Sequence, residues 1–165
     1  MKNRLIRLAL LFLFVLVSAS LAQADMKPGT TAPDFSMTDM AGSTIKLSDY
    51  KGHPFILKLA TTWCPSCKQQ SAELAKAKGF LEENKVPVIE VFVDDSEEDV
   101  RKYMKEHPLP GENSAVILDD GSVYEQYNVY LIPRVLVINK DFKVERDGSV
   151  IDASVLEPML SKMLN

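Results

Sequence analysis

The sequence predicts an α/β fold, a β-sheet covered on both faces. Two observations carry that prediction. Short apolar runs rich in β-branched residues alternate with segments of helical periodicity, and a closing hairpin is followed by a helix. A Cys-x-x-Cys pair, Cys64 and Cys67, sits where one apolar run gives way to a helical pattern.

The elements follow in chain order. Residues 25–34 are polar and punctuated by Pro and Gly, so they read as an extended lead-in. Residues 35–38 and 44–47 flank a turn at Ala41 and Gly42 and read as a hairpin. Residues 54–60 form a buried strand, in which Phe55, Leu57 and Leu59 share one face and Ile56, Lys58 and Ala60 the other. A helix starts at Pro65 with Leu74, Ala77 and Leu81 facing the core, and Gly79 bends or frays it. Residues 86–93 are apolar and β-branched and read as a central strand. Ser96 to Asp99 resembles a capping box, ahead of a helical face made by Val100, Tyr103, Met104 and His107. Pro108 and Pro110 end that helix. Residues 114–118 form a short strand, followed by a turn at Asp119, Asp120 and Gly121. Residues 134–139 and 142–145 make a second hairpin, and a last helix starting at Ser154 carries Leu156, Met159, Leu160, Met163 and Leu164.

Residues 1–24 stand apart. Lys2, Arg4 and Arg7 precede an unbroken apolar run from Leu8 to Val17, and Ala22-Gln23-Ala24 offers small residues at cleavage spacing. That is the pattern of a secretory signal peptide, with an uncleaved membrane anchor as the alternative. Residues 25–165 then form one domain around one core. Removing the leader takes away three of the 19 cations and no acid, leaving 16 against 23 and a formal charge of −7. Such an acidic chain is no candidate for nucleic acid.

The cysteines are the only two in the chain. A disulfide between residues three apart closes a tiny loop and stabilises little, so the spacing argues for chemistry over stapling. Cys64 stands where a helix presents unpaired N–H groups, which favours its thiolate, and Cys67 lies one turn on, within bonding reach. Cys64 is expected to be exposed and Cys67 covered. Trp63 either shields the sulfurs or fills the core. A zinc site would need two further ligands, and only His53 and His107 remain, each alone in its segment, so no metal is expected. Pro133 precedes the strand at 134–138; it is either a strand-entry proline or part of a cis Ile132–Pro133 peptide beside the cysteines.

These motifs resemble the TlpA/ResA-type branch of the thioredoxin-like family, exported thiol:disulfide oxidoreductases. Gly29, Ala32, Pro33, Asp34 and Phe35 resemble its lead-in, as do Asp39 to Gly42 and Leu47 to Gly52. Thr61 to Cys67 resembles its active site, and Tyr127 to Val129 with Pro133 its cis-proline segment. The resemblance implies a thioredoxin-like fold, a central mixed β-sheet flanked by helices, with an N-terminal β-hairpin extension. It implies Cys64 as nucleophile, Cys67 as resolving thiol, and a substrate segment paired with the backbone at Ile132, beside Pro133 and Trp63. No cofactor is implied. The partners implied are protein thiols and disulfides, with a membrane electron donor upstream, for a periplasmic monomer that acts as a reductant, for example in cytochrome maturation.

Three positions depart from the branch's pattern and are candidates for redox tuning: Lys58 where a buried Asp or Asn is usual, Gln70 where Glu is usual, and Arg134 where Thr is common. An acidic proton acceptor is therefore missing from its expected place. Lys58 reads either as a stem packed in the core with its ammonium reaching solvent, or as a partly buried amine near the sulfurs. Arg134 reads as a surface charge or as positive potential near Cys64. Two other functions fit the motif in part. A thiol peroxidase is suggested by Thr61 three residues before Cys64, although Arg134 is one step off register. A copper-binding chaperone would use the two sulfurs alone.

Overall fold

The computed structural model describes residues 25–111 and 113–165; the leader reading at 1–24 lies outside the described residues. The lead-in is followed by a two-stranded antiparallel hairpin, β1 (Ser36–Thr38) and β2 (Thr44–Lys46), and a 3₁₀ turn (Leu47–Tyr50). The main sheet contains β3 (Phe55–Ala60), β4 (Val88–Phe92), β5 (Ala115–Leu118), β6 (Arg134–Ile138) and β7 (Val144–Gly148), in the order β5-β4-β3-β6-β7. The β3, β4 and β5 strands run parallel, while β6 and β7 are antiparallel to their neighbours. Five α-helices complete the described residues: α1 (Pro65–Lys76), α2 (Lys78–Glu83), α3 (Glu97–Glu106), α4 (Ser122–Gln126) and α5 (Ala153–Leu164).

The central position of β3 follows from its composition. All six of its residues are buried, so it needs cover on both faces. Phe55, Leu57 and Leu59 join Ile89, Val91, Leu136 and Ile138 on one face, closed by Phe35, Leu47 and Phe142 and by Val123 of α4. Ile56 joins Val88, Val135 and Val137 on the other, beneath Leu74 of α1 and Leu156 and Leu160 of α5. A third cluster gathers Ala60, Phe92, Val100 and Tyr103 around the two cysteines. The first face is thus closed largely by the N-terminal lead-in and one five-residue helix.

Several boundaries differ from the sequence reading. The helix after the cysteines breaks at Ala77, two residues before Gly79. The expected turn at 119–121 is also the start of α4, which periodicity over five residues cannot reveal. The Asp119 carboxylate accepts from Val123 N and Tyr124 N (both 3.1 Å), and Gly121 enters the helix at φ +102°. Phe142 belongs to the turn before β7, at φ +63°, and Asn139 Oδ1 accepts from Asp141 N and Lys143 N. The β7 strand then continues through charged Arg146 and Asp147, because their side chains find partners inside the fold.

Candidate functional site

The two sulfurs sit at the C-terminal end of β3, where α1 begins. Cys64 is the N-cap of α1, with extended backbone, and its Sγ accepts from Cys67 N at 3.4 Å. Pro65 occupies the first helical position, where no intrahelical N–H bond is lost. Both cysteines are in the dithiol form. Cys64 is 7% exposed and Cys67 0%. The expected exposure of Cys64 is corrected accordingly: its thiol lies under the Ile132 backbone, donating to Ile132 O at 3.8 Å. Of the two cysteines, it alone keeps any exposed surface.

Burial, then the contact with Cys64, pushes the Cys67 thiol up to about 12. Cys67 therefore rests as a neutral thiol near neutral pH, and any attack it makes requires its proton to leave.

Trp63 is 63% exposed, so it is a surface aromatic beside the thiols and not core filling. Across the site the Ile132–Pro133 peptide is cis, with Pro133 buried and Leu131 70% exposed. The segment just before the cysteines is held by Asp95, which accepts from Thr62 N at 2.9 Å and Thr62 Oγ1 at 2.5 Å. Tyr124 of α4 donates to Ala60 O at 2.9 Å, directly beneath the same segment.

The Lys58 side chain is fully buried, which corrects the reading of an ammonium reaching solvent and leaves that of a buried amine near the sulfurs. Glu90 stands opposite it on β4 and accepts at 2.5 Å; Ser71 Oγ of α1 accepts at 2.6 Å, and Tyr103 Oη lies at 3.5 Å. Burial alone would lower the Lys58 pKa, but Glu90, Tyr103 and, more weakly, Cys67 hold it above its ordinary value. The acid missing from β3 is present one strand over, with its second oxygen unpartnered. Glu90 interrupts an otherwise apolar run in a central strand, and that was the signal available to find it.

The other two departures have structural partners. Gln70 is buried and bonds both ways to the backbone of Ile151, donating at 3.3 Å and accepting at 2.7 Å. Arg134 is 5% exposed, so the surface-charge reading is corrected. Its guanidinium forms a two-pronged pair with Asp147 at 2.8 and 2.5 Å and donates to Tyr127 O. The peroxidase reading wanted an arginine at the nucleophile; all the hydrogen bonds of Arg134 go elsewhere. Nothing at residues 134–145 pointed to Asp147 as its partner, because a carboxylate in a strand end reads as solvated.

His53 is an exposed loop residue, and His107 closes α3 with its ring 4.6 Å from that of Tyr103. Among the described residues no group of three or more His, Cys, Asp or Glu could hold a metal ion. None of the described helices is long and apolar enough to cross a membrane.

Comparison with known proteins agrees with this geometry. Residues 28–151 match the AhpC/TSA family. The thiol-disulfide oxidoreductase ResA of Bacillus subtilis (strain 168) is 32% identical over 138 residues, spanning 83% of this chain and 74% of that protein. The exposed lipoprotein thioredoxin of Streptococcus pneumoniae strain TIGR4 is 26% identical, with a TM-score of 0.63 over 79% of this chain and 99% of its own. The thioredoxin domain of a thiol-disulfide oxidoreductase from Bacteroides vulgatus gives a TM-score of 0.72 over 85% of this chain and 99% of its own; at 21% identity it bears on the fold alone. With a Cys-x-x-Cys pair capping α1 on a sheet of this topology, the chain belongs to the AhpC/TSA family and is a thioredoxin-like thiol-disulfide oxidoreductase, similar to ResA.

Proposed function

We propose that the chain is an exported reductant of protein disulfides, with Cys64 as nucleophile and Cys67 as resolving thiol. The observation that carries this reading is the approach of Cys64 Sγ to Ile132 O at 3.8 Å, with exposed Trp63 next to Cys64 in the chain and exposed Leu131 next to Ile132. An extended substrate segment pairing with the backbone at Ile132 would bring its own disulfide over Cys64. Trp63, Ile132 and Pro133 form the substrate contact in this reading.

The chemistry balances in two exchanges. The Cys64 thiolate attacks one substrate sulfur; the substrate S–S bond breaks, a mixed disulfide forms, and the first substrate thiolate leaves and takes up a proton. Cys67 then gives up its proton and attacks Cys64 Sγ, so that the mixed disulfide breaks and the second substrate thiol is released. The substrate gains two electrons and two protons, and the protein is left with a Cys64–Cys67 disulfide. A donor dithiol must reduce that disulfide before the next turn, which is the place of a membrane electron donor.

The direction is supported by Cys67. A dithiol held as a neutral buried thiol is not stabilised in its reduced form, which favours giving electrons over taking them. Residues 1–24 support export, and with it substrates outside the cytosol such as cytochrome precursors. The test has three parts. Cys67→Ser should accumulate mixed disulfides through Cys64, and reduced protein should be alkylated at Cys64 first. The pair should titrate against glutathione below about −200 mV, on the reducing side of the disulfide isomerases. The exported chain should begin at Asp25. Faster alkylation at Cys67 would overturn the role assignment, and a potential well above that mark would overturn the direction.

A further inference from the structure

The segment from Tyr127 to Pro133 joins α4 to β6, lies outside regular structure, and carries the backbone edge that faces Cys64. Asn128, Tyr130 and Leu131 are exposed, while Tyr127 and Pro133 at its two ends are buried and Val129 and Ile132 half-buried. One side chain also ties the two ends to each other. Arg134 follows Pro133 directly, which fixes the far end through the chain itself. Its Nη1 donates back to Tyr127 O and, at 3.5 Å, to Asn128 O, which fixes the near end. The seven-residue segment is thus closed into a ring by a single side chain.

That side chain is itself locked. Arg134 Nε and Nη2 meet the two oxygens of Asp147 at 2.8 and 2.5 Å, and the Asp147 side chain has no exposed surface. Asp147 belongs to β7, where it stands opposite Leu136, and it also accepts from Met26 N at 2.6 Å. The guanidinium fork needs its donors in one plane to hold a carboxylate on one side and carbonyls on the other; an ammonium has no such geometry. The pair closes its own charge, so it does not act on the sulfurs as a net cation. What remains for it to do is mechanical.

We propose that Arg134, held by Asp147, is a positioning residue that fixes the Ile132 carbonyl opposite Cys64 and so sets the edge on which an extended substrate docks. The proposal rests on the reading of Ile132 as that edge, and the experiment separates the two.

Reduced protein is mixed with a short linear peptide whose one cysteine is disulfide-linked to thionitrobenzoate, and the coloured thiolate released by Cys64 is followed in single turnovers. A second peptide is identical except for N-methylation of the amide next to its cysteine, which removes the donor that would meet Ile132 O. The wild type is expected to prefer the unmethylated peptide by about fivefold or more, the worth of one hydrogen bond. In Arg134→Met that preference should collapse towards one, through a rise in the saturation constant more than a fall in the maximal rate. Arg134→Lys should resemble Arg134→Met and fail to rescue. If Arg134→Met does not fold, Arg134→Met with Asp147→Leu removes both buried charges and is read by the same criterion. A wild type that shows no preference overturns the Ile132 reading, and this proposal with it. A wild type that shows the preference alongside variants that keep it overturns this proposal alone. A loss of reactivity towards both peptides alike, accompanied by a shifted reduction potential, also overturns it, because Arg134 would then act on the sulfurs electrostatically.

Discussion

Replacing Lys58 by Met separates the stability of the buried pair from its effect on the sulfurs. Both side chains of the Lys58–Glu90 pair are 0% exposed, and their charged atoms meet at 2.5 Å. Removing the ammonium leaves the Glu90 carboxylate fully buried on β4 with neither oxygen paired to a cation, since its second oxygen has no partner even now. Breaking such a pair from one side costs about 3–5 kcal/mol. Against a total of roughly 5–15 kcal/mol for a domain, that is a large fraction. Removing both charges, as in Lys58→Met with Glu90→Leu, should be neutral or stabilising by up to ~4 kcal/mol, because the desolvation of two ions disappears along with their attraction. Urea unfolding of the wild type, the two single variants and the double variant completes the cycle. The redox arm follows the same charges. The Lys58 cation eases ionisation of Cys67. Cys67 must ionise before it attacks, so the single variant should resolve mixed disulfides more slowly. The double variant should return towards the wild-type rate. A single variant within ~0.5 kcal/mol of wild type would refute the buried-pair reasoning, since that is the range of surface substitutions. So would a double variant as unstable as the sum of the singles.

Two further outcomes follow from the site. The folded state holds the Cys67 proton up to about 12 against an ordinary 9.0, so the folded dithiol binds more protons across that window. Stability from this source is fully present below pH 9 and is lost as the pH rises towards 12. Urea midpoints of reduced protein should fall through that range more steeply than those of oxidised protein, which has no thiol to titrate; parallel curves would contradict the burial of Cys67. Asp95→Ala removes both bonds to Thr62, and the loss of charge-assisted hydrogen bonds at a partly buried site should cost about 1.5–3 kcal/mol. Thermal unfolding measures it, and an unchanged midpoint would show that the pre-cysteine segment is held by other contacts.

The parts of this molecule legible in the sequence are those fixed by neighbours along the chain. Cys64 at an N-cap, Pro65 after it and Ser96 before an acidic first turn are local patterns, and each stands where the pattern puts it. Alternation along β3 likewise sorted Phe55, Leu57 and Leu59 from Ile56, Lys58 and Ala60. What local pattern cannot supply is register. The partner of Lys58 is Glu90, 32 residues on, and becomes its partner only when β3 and β4 align Lys58 with Glu90. The partner of Arg134 is Asp147, across one hairpin, and both read as surface charges until β6 and β7 are laid side by side. The α4 helix escaped for a different reason: the carboxylate that accepts from its first-turn N–H groups is Asp119, outside its own five residues.

The same distinction bears on how the site is built. Cys64 Sγ makes only weak contacts, an N–H at 3.4 Å and a carbonyl at 3.8 Å. The segments around it are tied by much stronger ones. Asp95 holds the residues before Cys64, Lys58 and Ser71 fasten β3 to α1 behind Cys67, and Arg134 closes the segment that carries Ile132. Each of these ties involves a charged group that is buried or half-buried. In the proposed cycle Cys64 exchanges partners twice, and such a sulfur cannot be bound tightly in any one state. Placing the strong bonds in the surrounding frame leaves Cys64 free to change partners while the direction of each approach stays fixed.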